Sequence, residues 1–244
     1  MAANQMTEFL QYLTDRASPG QRIPSIPELG DLLGISASKL REQLEVARAL
    51  GLVEVRPKTG IRLLPYSFFN SLRISLQFAL ALDRSYFDQI GLLRNHVEAS
   101  FWPEAVSLLL PEDKAALRDL ISRAWAKLHG DPVQIPHAEH RDLHLLIYSR
   151  LQNEFVAGLL EVYWEAYEAV GLDLYADYSY LEEVWTYHEQ MVEAVVAGDL
   201  EAGYRALVEH TDLLQRRPGT GTSAQPAFNH HNEPAIERRM VEET

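Results

Sequence analysis

The sequence predicts a mostly α-helical protein: an N-terminal winged helix-turn-helix with a small β-hairpin over residues 1–65, then an all-α bundle of six or seven helices over residues 66–215. Three observations predict it. Apolar residues recur at helical spacing along most of the chain. A period of two appears only between Val53 and Leu63. Just before that stretch, two short helical patterns meet across a turn of a few residues, which is the helix-turn-helix layout.

In chain order, residues 4–16 form an amphipathic helix with Phe9, Leu10 and Leu13 inward, and Ser18-Pro19-Gly20 breaks it. A second helix starts after Ser25. Pro27 falls in its first turn, where a missing N–H costs nothing. Leu29, Leu32 and Leu33 line one face of that helix, and Gly34 ends it. Ser36 caps a third helix with Leu40, Leu44, Ala47 and Leu50 at core spacing, closed by Gly51. Val53 and Val55 then alternate with Glu54 and Arg56. Pro57-Lys58-Thr59-Gly60 turns the chain, and Ile61 and Leu63 return as a second strand.

The N-terminal end of such a recognition helix meets bases and phosphates in the major groove. The candidate DNA contacts there are Ser36, Ser38, Lys39 and Arg41, and the wing adds Arg56, Lys58, Thr59 and Gly60.

Charge agrees with this division. The chain carries −13, which excludes a general nucleic-acid binder, but residues 1–65 hold eight Lys/Arg against seven Asp/Glu and leave −14 to the remainder. The part with the wing is near neutral, with cations on the docking elements, and phosphate repels the rest. There is no cysteine, so neither a disulfide framework nor a thiolate site is possible. No stretch resembles a signal peptide or a membrane span, and a cytoplasmic protein is expected.

In the bundle, Phe69, Leu72, Leu76 and Leu80 make a first stripe after a hinge at Tyr66 and Ser67. Tyr86, Ile90, Leu93 and Val97 make a second, which Trp102-Pro103 is expected to kink or stop. Pro111 opens a helix carrying Leu117, Leu120, Ile121, Ala124 and Leu128. Further helices are expected over 137–150, 154–170, 180–197 and 200–215, with Ser179 and Asp199 as caps. Residues 216–244 are rich in breakers, lack apolar periodicity and read as a disordered tail that includes His230 and His231.

Four histidines fall at telling positions. His140 and His144 are four apart and share a helix face. His188 lies eleven residues before Asp199 and His210 eleven after it, so on two antiparallel helices they are level, about 16 Å from the turn at a rise of about 1.5 Å per residue. Spacing alone leaves two readings: hydrogen-bonded core histidines, or four imidazoles on one metal.

The stretch from Pro24 to Gly60 resembles the winged helix of GntR-type transcription regulators. Pro24, Ser25, Glu28, Leu29, Leu33, Gly34, Ser36, Arg41, Glu42, Leu44, Leu50, Gly51, Leu52, Val53 and Gly60 carry the resemblance. Pro27 and Ala37 depart from it, standing where the family has DNA-contacting arginines. The second half resembles the FCD domain of the FadR subfamily, whose metal-binding members carry Asp-x-x-x-His, then two histidines about 22 residues apart. His144, His188 and His210 match these, Asn153 and the Gly198-Asp199 turn match their surroundings, and His140 stands in place of the aspartate.

The resemblance implies a divalent transition metal at His144, His188 and His210; His140, without the aspartate's charge, either completes the set or stays off the metal. An all-imidazole set favours zinc or nickel. It also implies that Arg94, in the family's Arg-x-x-x-Glu, faces an effector pocket; the alternative is a surface pair of Arg94 with Glu98.

The expected protein is therefore a homodimeric transcription regulator. It binds a roughly palindromic operator DNA and senses a small organic acid at a metal-containing pocket, with no membrane partner. A helical-bundle metalloenzyme is the rival, although Glu189 and Glu209 point away from the histidines and no acid–base pair stands out.

Overall fold

The computed structural model describes residues 6–169 and 177–215, the side chains of 212, 214 and 215 excepted. The expected tail over 216–244, with His230 and His231, lies outside the described residues. So does residue 170, at the expected end of one helix.

The N-terminal part is a winged helix. Helix α1 (Glu8–Arg16) starts where Thr7 Oγ1 accepts from the Leu10 amide, and it buries Phe9, Tyr12 and Leu13. Helix α2 (Ile26–Leu33) carries Pro27 in its first turn, and Glu28 accepts back from the Ser25 amide at 2.8 Å. Helix α3 (Ala37–Ala49) is capped by Ser36, whose Oγ accepts from the Lys39 amide at 3.2 Å. Strands β2 (Val53–Arg56) and β3 (Gly60–Leu63) form the hairpin.

A third strand, β1 (Arg22–Ile23), pairs antiparallel with β3 on its other edge, giving the order β1-β3-β2. Two residues are too few to show a period of two, so β1 was not visible in the pattern. The core here is Phe9, Leu13, Ile23, Leu29, Leu40, Leu44, Ala47, Val53 and Ile61. Leu32, expected on the inner face of α2, is instead 51% exposed; eight residues leave room for little more than one buried position, and Leu29 takes it.

Gln43 is a buried polar residue in this core. Its Oε1 accepts the Phe9 amide at 2.9 Å and its amide nitrogen donates to Glu8 at 2.6 Å. The side chain thereby satisfies one of the free N–H groups that every helix start leaves.

Seven helices follow among the described residues: α4 (Phe69–Leu82), α5 (Tyr86–Ser107), α6 (Pro111–Leu128), α7 (His137–Ile147), α8 (Glu154–Ala169), α9 (Tyr178–Ala197) and α10 (Leu200–Gln215). Of the kink or stop expected at Trp102-Pro103, the stop does not occur: helix α5 runs through Pro103 to Ser107. Trp102 is fully buried there, and its Nε1 donates to the Leu200 carbonyl at 3.1 Å. Packing of that large ring against α10 favours continuation over the bond the proline removes.

The inward face of α5 also differs. It runs through Ile90, Arg94, Glu98 and Trp102, while Leu93 and Tyr86 are exposed. The cap of α9 is Asp177, whose side chain accepts from the Ser179 amide at 3.2 Å, rather than Ser179 itself.

Two glycines place α10. Gly198 turns the chain at φ 78°, in the left-handed region that suits glycine. At Gly203 a Cβ would stand 2.7 Å from Trp102, so only glycine lets α10 lie this close to α5. The bundle core includes Trp102, Leu117, Leu128, Leu143, Ile147, Leu160, Trp185 and Met191. A second apolar cluster joins α4 and α5 to Val162, Tyr163, Trp164 and Tyr167 of α8.

Candidate metal centre and nucleic-acid face

Helices α7, α9 and α10 bring His140, His144, His188 and His210 together inside the bundle. All four are buried, and one ligand nitrogen from each lies within 4.8 Å of the others. The ring centroids of His188 and His210 are 4.2 Å apart, and those of His140 and His188 are 4.7 Å apart. Trp164 meets His140 edge-on at 4.6 Å, and Trp185 lies 4.9 Å from His188. Aromatic walls thus shield the cluster from water.

Burial depresses the basicity of all four. For His140 and His188 it holds the pKa well below the ordinary histidine value, with neighbouring imidazoles adding to it. His210 is held well below by burial, then by His144 and Arg94. His144 is lowered by burial against the opposing pull of Glu98. Neutral imidazoles are the form that ligates a metal.

The hydrogen-bond inventory points the same way. His140 Nε2, His188 Nδ1 and both ring nitrogens of His210 are buried without a hydrogen-bond partner. Buried polar atoms are normally satisfied, since leaving one bare costs about 1–3 kcal/mol. Unsatisfied ring nitrogens on three of the four clustered histidines fit a divalent cation that takes imidazole ligands. A tetrahedral ion with bonds of about 2.0–2.1 Å spaces its ligands roughly 3.3–3.4 Å apart. His144 Nε2 and His188 Nε2 are 3.1 Å apart, close to that spacing.

Arg94 is not on the surface, as the alternative had it. Arg94 and Glu98 are both fully buried and pair at 2.9 Å against the histidine cluster. Arg94 Nη2 lies 2.7 Å from His144 Nδ1, and Glu98 Oε1 lies 3.1 Å from the same nitrogen. The guanidinium also stacks 5.1 Å from Tyr163 and 5.3 Å from Trp164. Burial works to raise the Glu98 pKa, but Arg94 and then His144 outweigh it, and the carboxyl stays below its ordinary range. In the sequence Glu98 is marked only by its place four residues after Arg94, and its contact with His144 leaves no signal in the spacing. Tyr148 supports the same turn, its hydroxyl donating to the Glu98 carbonyl at 2.9 Å.

At the other end, Ser36, Ser38, Lys39, Arg41, Arg56, Lys58 and Thr59 are exposed, and Gly60 is half-buried in the wing. Lys39 forms an ion pair with Glu8, which Gln43 also holds, and these bonds pull the Glu8 pKa down to about 2. Arg56 pairs with Glu54 at 2.8 Å. Arg41 and Lys58 make no ion pair among the described residues. Lys58 takes φ 69°, a left-handed conformation that costs a non-glycine residue of order 1 kcal/mol.

The comparisons with known proteins agree with this architecture. Residues 89–213 match the profile of the FCD domain. HTH-type transcriptional regulator YieP of Escherichia coli K12 is 24% identical over 203 residues, covering 80% of this chain and 85% of that protein. The Uxu operon transcriptional regulator of the same organism is 23% identical over 205 residues, covering 82% and 79%. Among solved structures, a Streptococcus agalactiae GntR protein superposes with a TM-score of 0.61 over 85% of this chain and 95% of its own, at 17% identity. The match shows the fold.

Proposed function

The chain belongs to the FCD-domain branch of the GntR-type, DNA-binding transcription regulators, and from that premise we propose that it reads a metal-dependent metabolite signal onto operator DNA. The observation that carries the reading is the set of orphaned, buried nitrogens of His140, His188 and His210 beside a buried arginine.

In this reading His140, His144, His188 and His210 hold a divalent ion, zinc or nickel. When bound, the ion supplies a Lewis-acidic centre that attracts an oxyanion. Arg94 supplies a second anion-binding group through its guanidinium, which suits a small carboxylate. Because Arg94 is buried, an acid reaches it only if the bundle rearranges. A sensor needs that property, since an effector shifts an equilibrium only by its differential affinity for two arrangements. The segment Pro65 to Ser67 then carries the change to the wing.

A melting-temperature screen of small organic acids tests this. A ligand at 100 times its Kd stabilises the folded chain by about 2.7 kcal/mol. The hit is expected to change operator affinity and to lose its effect after chelation. A hit recovered unchanged that leaves DNA affinity untouched sinks the sensor mechanism.

On the DNA face, Ser36, Ser38, Lys39 and Arg41 face the major groove and Arg56, Lys58, Thr59 and Gly60 face the backbone. Arg41→Ala is expected to cost about 1–3 kcal/mol of specific binding. Lys58→Gly suits the left-handed turn, so it leaves the fold intact, weakens binding to all sequences and lowers the salt slope by about 1. Titration of promoter DNA at two salt concentrations measures both. No preference over random duplex refutes the operator reading.

A homodimer suits a palindromic operator. Its support is an apolar stripe left open on α4, where Ile74, Phe78 and Leu82 are exposed at four-residue spacing, with Tyr86 and Leu93 of α5 also exposed. Phe78→Asp is expected to shift sedimentation toward monomer; an unchanged dimer places the interface elsewhere.

The metalloenzyme is the rival reading; the relatives of this chain are transcription regulators. Glu189 and Glu209 are both exposed, and Glu98, which reaches His144 Nδ1, is held in an ion pair by Arg94. No helix among the described residues is long and apolar enough to cross a membrane. A cytoplasmic location fits a regulator of DNA.

A further inference from the structure

His144 Nδ1 lies between two partners that make incompatible demands. Arg94 Nη2 is 2.7 Å away and Glu98 Oε1 is 3.1 Å away. A guanidinium nitrogen can only donate, and an ionised carboxylate can only accept. A bare Nδ1 accepts from Arg94, whereas a protonated Nδ1 donates to Glu98. One nitrogen of a neutral ring cannot do both.

The choice fixes the far side of the ring. With Nδ1 bare, the proton sits on Nε2 and points to His188 Nε2, 3.1 Å away. With the proton on Nδ1, Nε2 presents a lone pair to His140, His188 and His210. Both forms are neutral; only the proton's place differs. By contrast, His188 Nδ1, on the side of its ring away from His144, and both nitrogens of His210 have no hydrogen-bond partner among the described residues.

We propose that Glu98 is a positioning residue for the metal: it holds the proton of His144 on Nδ1 so that Nε2 can ligate, while Arg94 competes for that nitrogen and opposes ligation. This rests on reading the four histidines as a metal site. Arg94 and Glu98 form one ion pair, so a purely structural role predicts that losing either has the same effect. Competition for Nδ1 predicts opposite signs.

The test is calorimetric titration of the chelator-treated full-length protein with zinc. Glu98→Gln is expected to weaken binding about 10–100-fold, as loss of an outer-shell carboxylate does. Arg94→Met removes the competing donor and a nearby positive charge, and is expected to tighten binding about tenfold. In the zinc-loaded wild type, nitrogen-15 NMR of labelled histidine is expected to find His144 protonated on Nδ1.

Three results overturn the proposal: Glu98→Gln binding zinc like wild type, both variants weakening alike, or His144 protonated on Nε2 with zinc bound. The NMR arm decides if a variant does not fold. Wild-type protein that binds no zinc sinks the metal reading too. Zinc lost in His210→Ala but unchanged in Glu98→Gln sinks this proposal alone.

Discussion

His210→Ala is expected to lose most of the divalent ion that wild-type protein retains through dialysis. Both ring nitrogens of His210 are buried without a partner, and helix α10 is pinned at Gly203 against Trp102, so no neighbouring side chain can move in to replace the imidazole. Zinc binding by four protein ligands is worth about 10–16 kcal/mol in small domains. A quarter of that is roughly 3 kcal/mol, or about a hundredfold in Kd. Elemental analysis after dialysis is expected to find about one equivalent per chain in wild type and little in the variant. A His230→Ala, His231→Ala double variant serves as the control and is expected to keep the full equivalent. Equal retention in His210→Ala and wild type means that the four rings are core residues and nothing more.

The winged helix was legible because its local signals are redundant. Ser25, Pro27, Gly34, Ser36 and Gly51 each mark a boundary by their own backbone chemistry, and each stands at or beside the end of an observed element. The four histidines were legible because helical spacing converts directly into distance: two on one face of α7, and two level across the Gly198 turn.

Other features needed tertiary context. Arg94 and Glu98 read equally well as a solvated pair four residues apart or as a buried one. What decides is that α5 faces the bundle through Ile90, Arg94, Glu98 and Trp102, a stripe interrupted by charge that apolar periodicity assigns to the outside. For the same reason Leu93 was placed inward and is exposed. Gln43 is hidden in the same way, because a long polar residue on an amphipathic helix carries no sign that it caps a different helix. Helix α5 passes Pro103 because Trp102 anchors it, which a local rule about proline cannot include.

Acid is expected to destabilise the chelator-treated protein from about pH 6.5 downward, where free histidine begins to take up protons. In the folded chain His140, His188 and His210 are held well below the ordinary histidine value near 6.5 by burial, and His144 is lowered as well. The unfolded chain therefore binds protons first as pH falls. Stability from these groups is fully present above about pH 6.5 and is lost as pH drops below it toward the folded values. Each such histidine contributes a slope of about 1.4 kcal/mol per pH unit, so three give about 4 kcal/mol per unit. Native domains are worth about 5–15 kcal/mol, so a slope of this size is a large fraction of the total for each pH unit lost.

Urea unfolding at pH 7.5, 6.5 and 5.5 measures the slope. His140→Phe, which fills a similar volume against Trp164, is expected to lower it by about a quarter to a third. A midpoint that stays flat from pH 7.5 to 5.5 shows that the histidines accept protons in place, which four rings packed this closely under tryptophan cannot do without opening the bundle.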